Sequence, residues 1–492
     1  MNAKRMRAWA TACAVAGALA LAGCAGGGSA ASESDADTGL DPADPVQIEL
    51  WTYYNGTQQQ AFESLVDEFN ASRGKELGVV ATSSSQGGVN DLASAVTDSA
   101  QERVGSAAMP DAFLSYADTA SVIDGFGRVA DLSGYLTDEQ KAGYVEEFLA
   151  EGDLDGDGGL KVFPVAKSTE TLQMNLTDWR KFADATGSTL DELATVEGIT
   201  AVSQRYFEWT DAQTPDVPND GRPFFGRDSL ANYLITGSKQ LGCELFEVKG
   251  GRAVPNLDRA AMKRLWDNYY VPTVQGWFST EGKFRSDAVK TGDLLCYVGS
   301  SSSVVYFPQT VTVDDQTSYP IEMAALANPT FEGGVPCAPQ QGAGFVVTKS
   351  DERTERACVE FLTWFTAKEQ NTDFAVSAGY VPVTEDALTL ENLEDAASSD
   401  EGSSQNYLAN LPATLDTIDA GLYVGAPYKG SVEARIVLES SLSDKAAADR
   451  AAVTSQIEAG ADAAEAVAPY LDDAVFDAWL DDLAAQLEAV IA

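Results

Sequence analysis

From Val46 the chain alternates. Val46, Ile48 and Leu50 are apolar with Gln47 and Glu49 between them, a period of two that predicts a strand with one buried face. The period then changes. Phe62, Leu65, Val66 and Phe69 recur at helical spacing, with Thr57 and Gln60 placed as a capping box at the start and Gly74 as the stop. A second strand is predicted from Gly78 to Ser83, followed by a helix whose apolar face is Val89, Leu92, Ala93 and Val96, and a third strand from Asp111 to Tyr116. Strand, helix, strand, helix, strand in this rhythm implies an α/β fold with a parallel sheet flanked by helices.

That topology says where a ligand sits. In open α/β sheets the crevice lies beyond the carboxyl ends of the strands. The loops there are WTYYNGT at 51–57, SSSQGG at 83–88 and LSYADT at 114–119, which offer Tyr53, Tyr54, Gln86 and Tyr116. Aromatic faces ringed by hydroxyl and amide groups suit a polyol, whose C–H faces stack on rings while its hydroxyls find partners. Acidic residues are expected to avoid these loops.

Composition narrows the chemistry further. There are 75 acidic and 32 basic residues and no histidine. The charge repels nucleic acid and anionic headgroups. The missing histidine excludes Ser-His-Asp and Cys-His catalysis, His-ligated zinc and a histidine pH switch. At the start, Lys4, Arg5 and Arg7 precede an apolar run from Ala8 to Leu21, shorter than a comfortable membrane span, which reads as a signal peptide over 1–23. Leu21, Ala22, Gly23 and Cys24 resemble a bacterial lipobox, which implies lipid attachment at Cys24 and a polar linker over 24–45 holding the protein to the outer face of the membrane. Without the three basic residues of the signal peptide, 29 basic groups face 75 acidic ones, a charge of −46.

Several stretches together resemble the extracellular solute-binding proteins of bacterial ABC importers, in the branch that takes carbohydrates and glycerol phosphates. These are IELWTYYNGTQQQAFESLVDEFN near the start, FPVAKSTETLQMN at 163–175, GDLLCYVGSSSS at 292–303, QQGAGFVVTKS at 340–350, and the helical stretch at 357–383 that ends in AGYVPV. The resemblance implies a two-lobed, periplasmic-binding-protein-like fold, each lobe a mainly parallel sheet flanked by helices, with several hinge crossings. Lobe 1 is expected over 46–166 plus 318–368 and lobe 2 over 167–317 plus 369–492, with crossings near Lys167 to Thr171 and near 310–318. Ligand would bind between the lobes and hold them closed.

Carried across one at a time, the resemblance gives further site residues: Tyr116 at the end of the third strand, Ser168 and Thr169 in the crossover, Ser301 (or Ser300 or Ser302) in the serine run, Gly342 through its backbone N–H, Tyr380 in AGYVP, and Arg435 from lobe 2. Ala117 stands where glycerol-phosphate binders carry an acid, which favours a neutral or weakly charged carbohydrate. The implied protein is a monomer without cofactor or metal, working with permease subunits and not an enzyme. Open alternatives are a glycerol-phosphate binder of the same system, a secreted glycosidase using a carboxylate pair, and an adhesin.

DLDGDGGL at 153–160 spaces its acids like a calcium loop, but Pro164 stands where a bidentate Glu is needed, so a glycine-rich turn is expected. VAKST at 165–169 lacks the phosphate-loop glycines. For Cys243, Cys296, Cys337 and Cys358 the expectation is pairing within each lobe or no bridge.

Overall fold

The structure is a computed structural model that describes residues 39–491 apart from 218, 283 and 400–403. The expected signal peptide, Cys24 and most of the linker lie outside the described residues. Among the described residues no helix is long and apolar enough to cross a membrane.

The first sheet has the order Gly344–Val347, Ala112–Ser115, Val46–Thr52, Val79–Ser85. Its three N-terminal strands run parallel and the fourth antiparallel. The alternation that predicted Val46–Thr52 is visible as Ile48 and Leu50 buried and Gln47 and Glu49 exposed. Helix Gly56–Ala71 lays Phe62, Leu65, Val66 and Phe69 on the sheet. Phe62 is the hub of an aromatic core, within 5.5–6.2 Å of Tyr54, Phe345, Phe361, Phe365 and Phe374. The capping box does not form: Asn55 is the N-cap, without a side-chain bond, and the helix opens two residues earlier than Thr57 and Gln60 require. Gly74 lies within a following short helix, Arg73–Leu77, which Gly78 closes at φ +76°. The segment 39–45 is also not free linker, because Leu40 packs on this core and Arg353 pairs with Asp44 at 3.0 Å.

The second sheet has the order Met323–Ala327, Glu170–Asn175, Cys296–Ser300, Phe225–Arg227. Only its last pair runs parallel. Every residue of Glu170–Asn175 is buried, as befits a central strand covered on both faces. The core here is built on Trp179, Phe182, Phe224, Leu265 and Trp266, and is closed by the long helix Ser431–Glu458 and helix Asp473–Ile491.

Core membership corrects the expected lobe boundaries. Met323–Ala327 pairs with the central strand of the second sheet, so the stretch beginning at 318 does not belong to the first. Phe374, Ala375, Tyr380 and Val383 sit in the first core, so 369–383 does not belong to the second. Residues 310–320 form a hairpin, Thr310–Thr312 with Ser318–Pro320, and not a crossing. The crossings lie together instead: Lys167 pairs with Val381 and Ser168 with Gln341, both antiparallel, so three segments run side by side between the cores. A smaller cluster of Val304, Val376, Leu393, Ala397, Tyr407 and Leu411 bridges beside them.

Candidate functional site

Both sheets turn strand ends toward this crossing. From the first come the loop after Val46–Thr52 with Tyr53 and Tyr54, the end of Ala112–Ser115 with Tyr116, and Gly342 just before Gly344–Val347. From the second come Glu170, at the start of its strand and paired in register with Ser300, and Arg227 and Asp228 at the end of theirs.

Three tyrosines form the floor. The Tyr53 hydroxyl accepts from Ala343 N–H at 3.4 Å. Burial pushes that hydroxyl well above its ordinary range, and Tyr380 and Tyr116 beside it add to the shift. Tyr116 is raised by burial, with the Gly342 backbone beside it acting the other way. Tyr380 stacks on Phe374 at 6.0 Å, and its carbonyl accepts from Tyr407 at 3.1 Å. Tyr54 is 1 % exposed and packed among Tyr53, Phe62, Phe374 and Tyr380, a core position supporting the floor. Gln86 donates to Ser84 at 2.8 Å at the rim of the first sheet.

The serine run shows which register faces the cluster. Ser301 is buried, its hydroxyl accepting from Thr169 N–H at 3.1 Å, while Thr169 spends its own hydroxyl on the Pro339 carbonyl at 3.0 Å. Ser300 instead reaches Ser168 at 3.3 Å and Ser302 at 3.0 Å, and Ser302 lies against Tyr380. Two of the expected hydroxyls are therefore bonded within the crossing, while Ser300 and Ser302 lie beside Ser168 and Tyr380.

Acidic groups enter where none were expected. Asp118, inside the third loop, is pushed up by burial and drawn back by Arg435. Arg435 donates to Asn232 at 2.6 Å, and Asn232 donates to Glu170 at 2.7 Å. Glu170 is raised by burial, against the pull of Arg227. Arg435 thus joins a first-lobe acid to a second-lobe network, and Tyr306 reaches across to the Asn55 carbonyl at 3.4 Å. Lys167 and Glu151 form a buried ion pair at the crossing itself. Sequence reading missed Asp118, Glu151, Lys167, Glu170, Arg227 and Asn232 as site residues, and offered Ser302 only as an alternative to Ser301. The one available signal was a charged residue, Glu170, opening a strand that is otherwise uncharged.

Asp228 yields a pH prediction. Burial raises it from 3.8 to about 6, opposed by its bond from Arg285 N–H at 2.9 Å, with Glu439 and Asp287 adding repulsion. An acid whose folded pKa is raised stabilises the fold below its unfolded value and loses that contribution as pH climbs through the folded one. Two units correspond to about 3 kcal/mol. Urea denaturation from pH 4 to pH 7 should show Asp228→Asn gaining about that much relative to the parent, chiefly between about pH 4 and 6. A difference that stays flat across this range rules the assignment out.

Other features stay apart from this site. The Asp153 carboxylate accepts from Asp157 N–H and Gly158 N–H, both at 3.0 Å, and Asp155 pairs with Lys161, which makes DLDGDGGL a self-contained turn. Among the described residues no cluster of three or more acids or cysteines could hold a metal ion. Cys243, Cys296, Cys337 and Cys358 are free thiols, and Cys337 lies with the second lobe, its carbonyl accepting from Gln240 at 2.8 Å, not with the first as expected. Two surface cavities, of about 340 and 640 Å³, lie outside the cleft beside Tyr144 and Trp479.

Residues 64–401 match the family described as bacterial extracellular solute-binding protein. No curated protein matches the sequence. Among solved structures, the cyclic alpha-maltosyl-1,6-maltose binding protein from Arthrobacter globiformis is similar with a TM-score of 0.64 at 18% identity, over 91% of this chain and 99% of that one. UgpB from Mycobacterium tuberculosis, in complex with glycerophosphocholine, gives 0.61 at 17% identity over 91% and 100%. A Thermus thermophilus maltotriose binding protein, bound with maltotriose, gives 0.58 at 14% identity over 90% and 100%. At such identities the likeness is one of fold.

Proposed function

Because the chain belongs to the bacterial extracellular solute-binding proteins, we propose that it captures a carbohydrate, a sugar or oligosaccharide, between its two lobes and delivers it to the permease of an ABC importer. The observation that carries this reading is the convergence of Tyr53, Tyr116 and Tyr380 from the first lobe with Ser300, Ser302, Arg435 and Glu170 from the second at the crossing. Rings stack on sugar faces, hydroxyls and carboxylates satisfy sugar hydroxyls, and contacts from both sides reward closure. In this reading the chain works as a monomer, tethered through a lipid on Cys24.

A glycerol-phosphate diester is the second reading, and one observation favours it. Arg435 offers a phosphate partner, and the tyrosines beside Asp118 and Glu151 offer a cationic headgroup a ring face and a counter-charge. A free phosphate monoester fits less well, since its charge would meet those same acids. Glycoside hydrolysis finds little support. Glu170 is already committed to Asn232 and held near Arg227, which leaves it poorly placed to act as an acid or nucleophile.

The test is a panel of maltose, maltotriose, a cyclic glucan, glycerophosphocholine and glycerol 3-phosphate, followed by thermal unfolding and solution scattering. The true ligand at a hundredfold excess over its Kd should stabilise the fold by about 2.7 kcal/mol and shrink the particle. Release of product would instead point to an enzyme. A profile unmoved by every compound would reject capture of these classes.

A further inference from the structure

Lys167 occupies the middle of the three crossing segments. Its N–H donates to the Val381 carbonyl at 3.0 Å and its carbonyl accepts from Val381 N–H at 2.8 Å, while Ser168 and Gln341 exchange bonds at 2.9 and 2.8 Å on the other flank. Its side chain, 2% exposed, pairs with Glu151, itself 6% exposed. The same ammonium donates to the Gly342 carbonyl at 2.9 Å, and Gln340 donates to the paired Glu151 oxygen at 2.7 Å.

A charge pair removed from water is weak evidence for stability, and fixing a geometry is one reason to keep it. Here the geometry is identifiable. The Gly342 carbonyl and the Ala343 N–H are the two ends of one planar peptide, so a group that fixes the carbonyl also fixes the direction of the N–H. That N–H meets the Tyr53 hydroxyl at 3.4 Å. Gly342 sits at φ +89°, where the glycine backbone has the freedom to rotate this peptide if nothing holds it.

We propose that Lys167 is a positioning residue: paired with Glu151, it sets the plane of the Gly342–Ala343 peptide and through it the Tyr53 hydroxyl on the floor of the cleft. Its effect on affinity rests on the ligand-capture reading, whereas its effect on the peptide does not. Lys167→Met alone leaves Glu151 buried without a partner, which can prevent folding, so the deciding variant is Lys167→Met combined with Glu151→Gln. Amide-resolved hydrogen exchange without ligand should then show Ala343 losing about tenfold or more of its protection, while amides of helix Ser431–Glu458 keep theirs. Lys167→Arg, which keeps a charged donor, should retain most of it.

With maltotriose as probe, the double variant should bind about tenfold more weakly than the parent at similar thermal stability. Unchanged exchange at Ala343 overturns the proposal whether or not any sugar binds. Unchanged maltotriose affinity in a variant whose Ala343 amide has been released overturns the link to the cleft. A parent protein that binds no sugar sinks the functional reading alone, and the exchange result still decides the role of Lys167.

Discussion

Gly342→Ala is expected to cost about 3 kcal/mol of stability and to abolish ligand capture in the same step. At φ +89° a Cβ would stand 2.8 Å from Lys167 Cα and closer still to the Ala166 carbonyl oxygen, so the obstacle is backbone of the neighbouring crossing and not a side chain that can swing aside. Relief requires the two segments to part, which breaks the Ser168–Gln341 pairing and shifts the Gly342–Ala343 peptide away from Tyr53. Gly127→Ala is the control. It shares a positive φ, +70°, but nothing lies within 4 Å, so only backbone strain of about 1 kcal/mol is expected there. Urea denaturation and calorimetric titration on both variants measure the contrast. Equal losses at the two glycines would show that close packing at the crossing does not matter.

Arg435→Met should weaken binding by about thirtyfold or more, a loss of about 2 kcal/mol or greater, as expected when one member of a desolvated charge network is truncated. The methionine keeps the length of the stem and removes the guanidinium that joins Asn232, Glu170 and Asp118. Acidity gives a second readout. Asp118 is raised by burial and held down chiefly by Arg435. Once the arginine is gone, protonation of Asp118 removes a buried charge without a counter-ion, so closure takes up a proton and is favoured as pH falls. The variant should therefore recover part of its affinity between pH 7.5 and pH 5. Titration at the two pH values checks this, and an identical deficit at both would show that Asp118 is not coupled to the arginine.

The first lobe was legible because local signals and long-range structure agree there. Val46, Ile48 and Leu50 alternate, Phe62 to Phe69 keep helical spacing, and parallel strands joined by helices bring the loop tyrosines to one sheet edge. Tyr53, Tyr116 and Tyr380 lie far apart in sequence, yet a cleft-forming topology together with a family resemblance brought them into one site. The serine run was harder to read. The strand ends at Ser300 and a 3-10 turn begins at Ser301, so neighbouring serines take different directions: Ser301 bonds Thr169, while Ser300 and Ser302 bond each other beside Ser168 and Tyr380. Lobe assignment after residue 318 failed because Met323–Ala327 carries no mark of its partner: Ala324 and Ala325 would suit either sheet, and only antiparallel pairing with Glu170–Asn175 places them. The ion pair of Lys167 with Glu151 had no local signal at all, since nothing in the residues around either charge says that the other will be its neighbour.

The seating of Leu40 and Asp44 against the first lobe has a mechanical consequence. Leu40 lies against the first core and Asp44 is clamped to Arg353, so any pull from upstream is borne by that half of the molecule. A leash on Cys24 would make the first half the stator and the second the rotor. Cargo would then be gripped by a jaw that swings against a hinge plate moored to the bilayer, and the moving jaw would be the one free to sweep the surrounding medium.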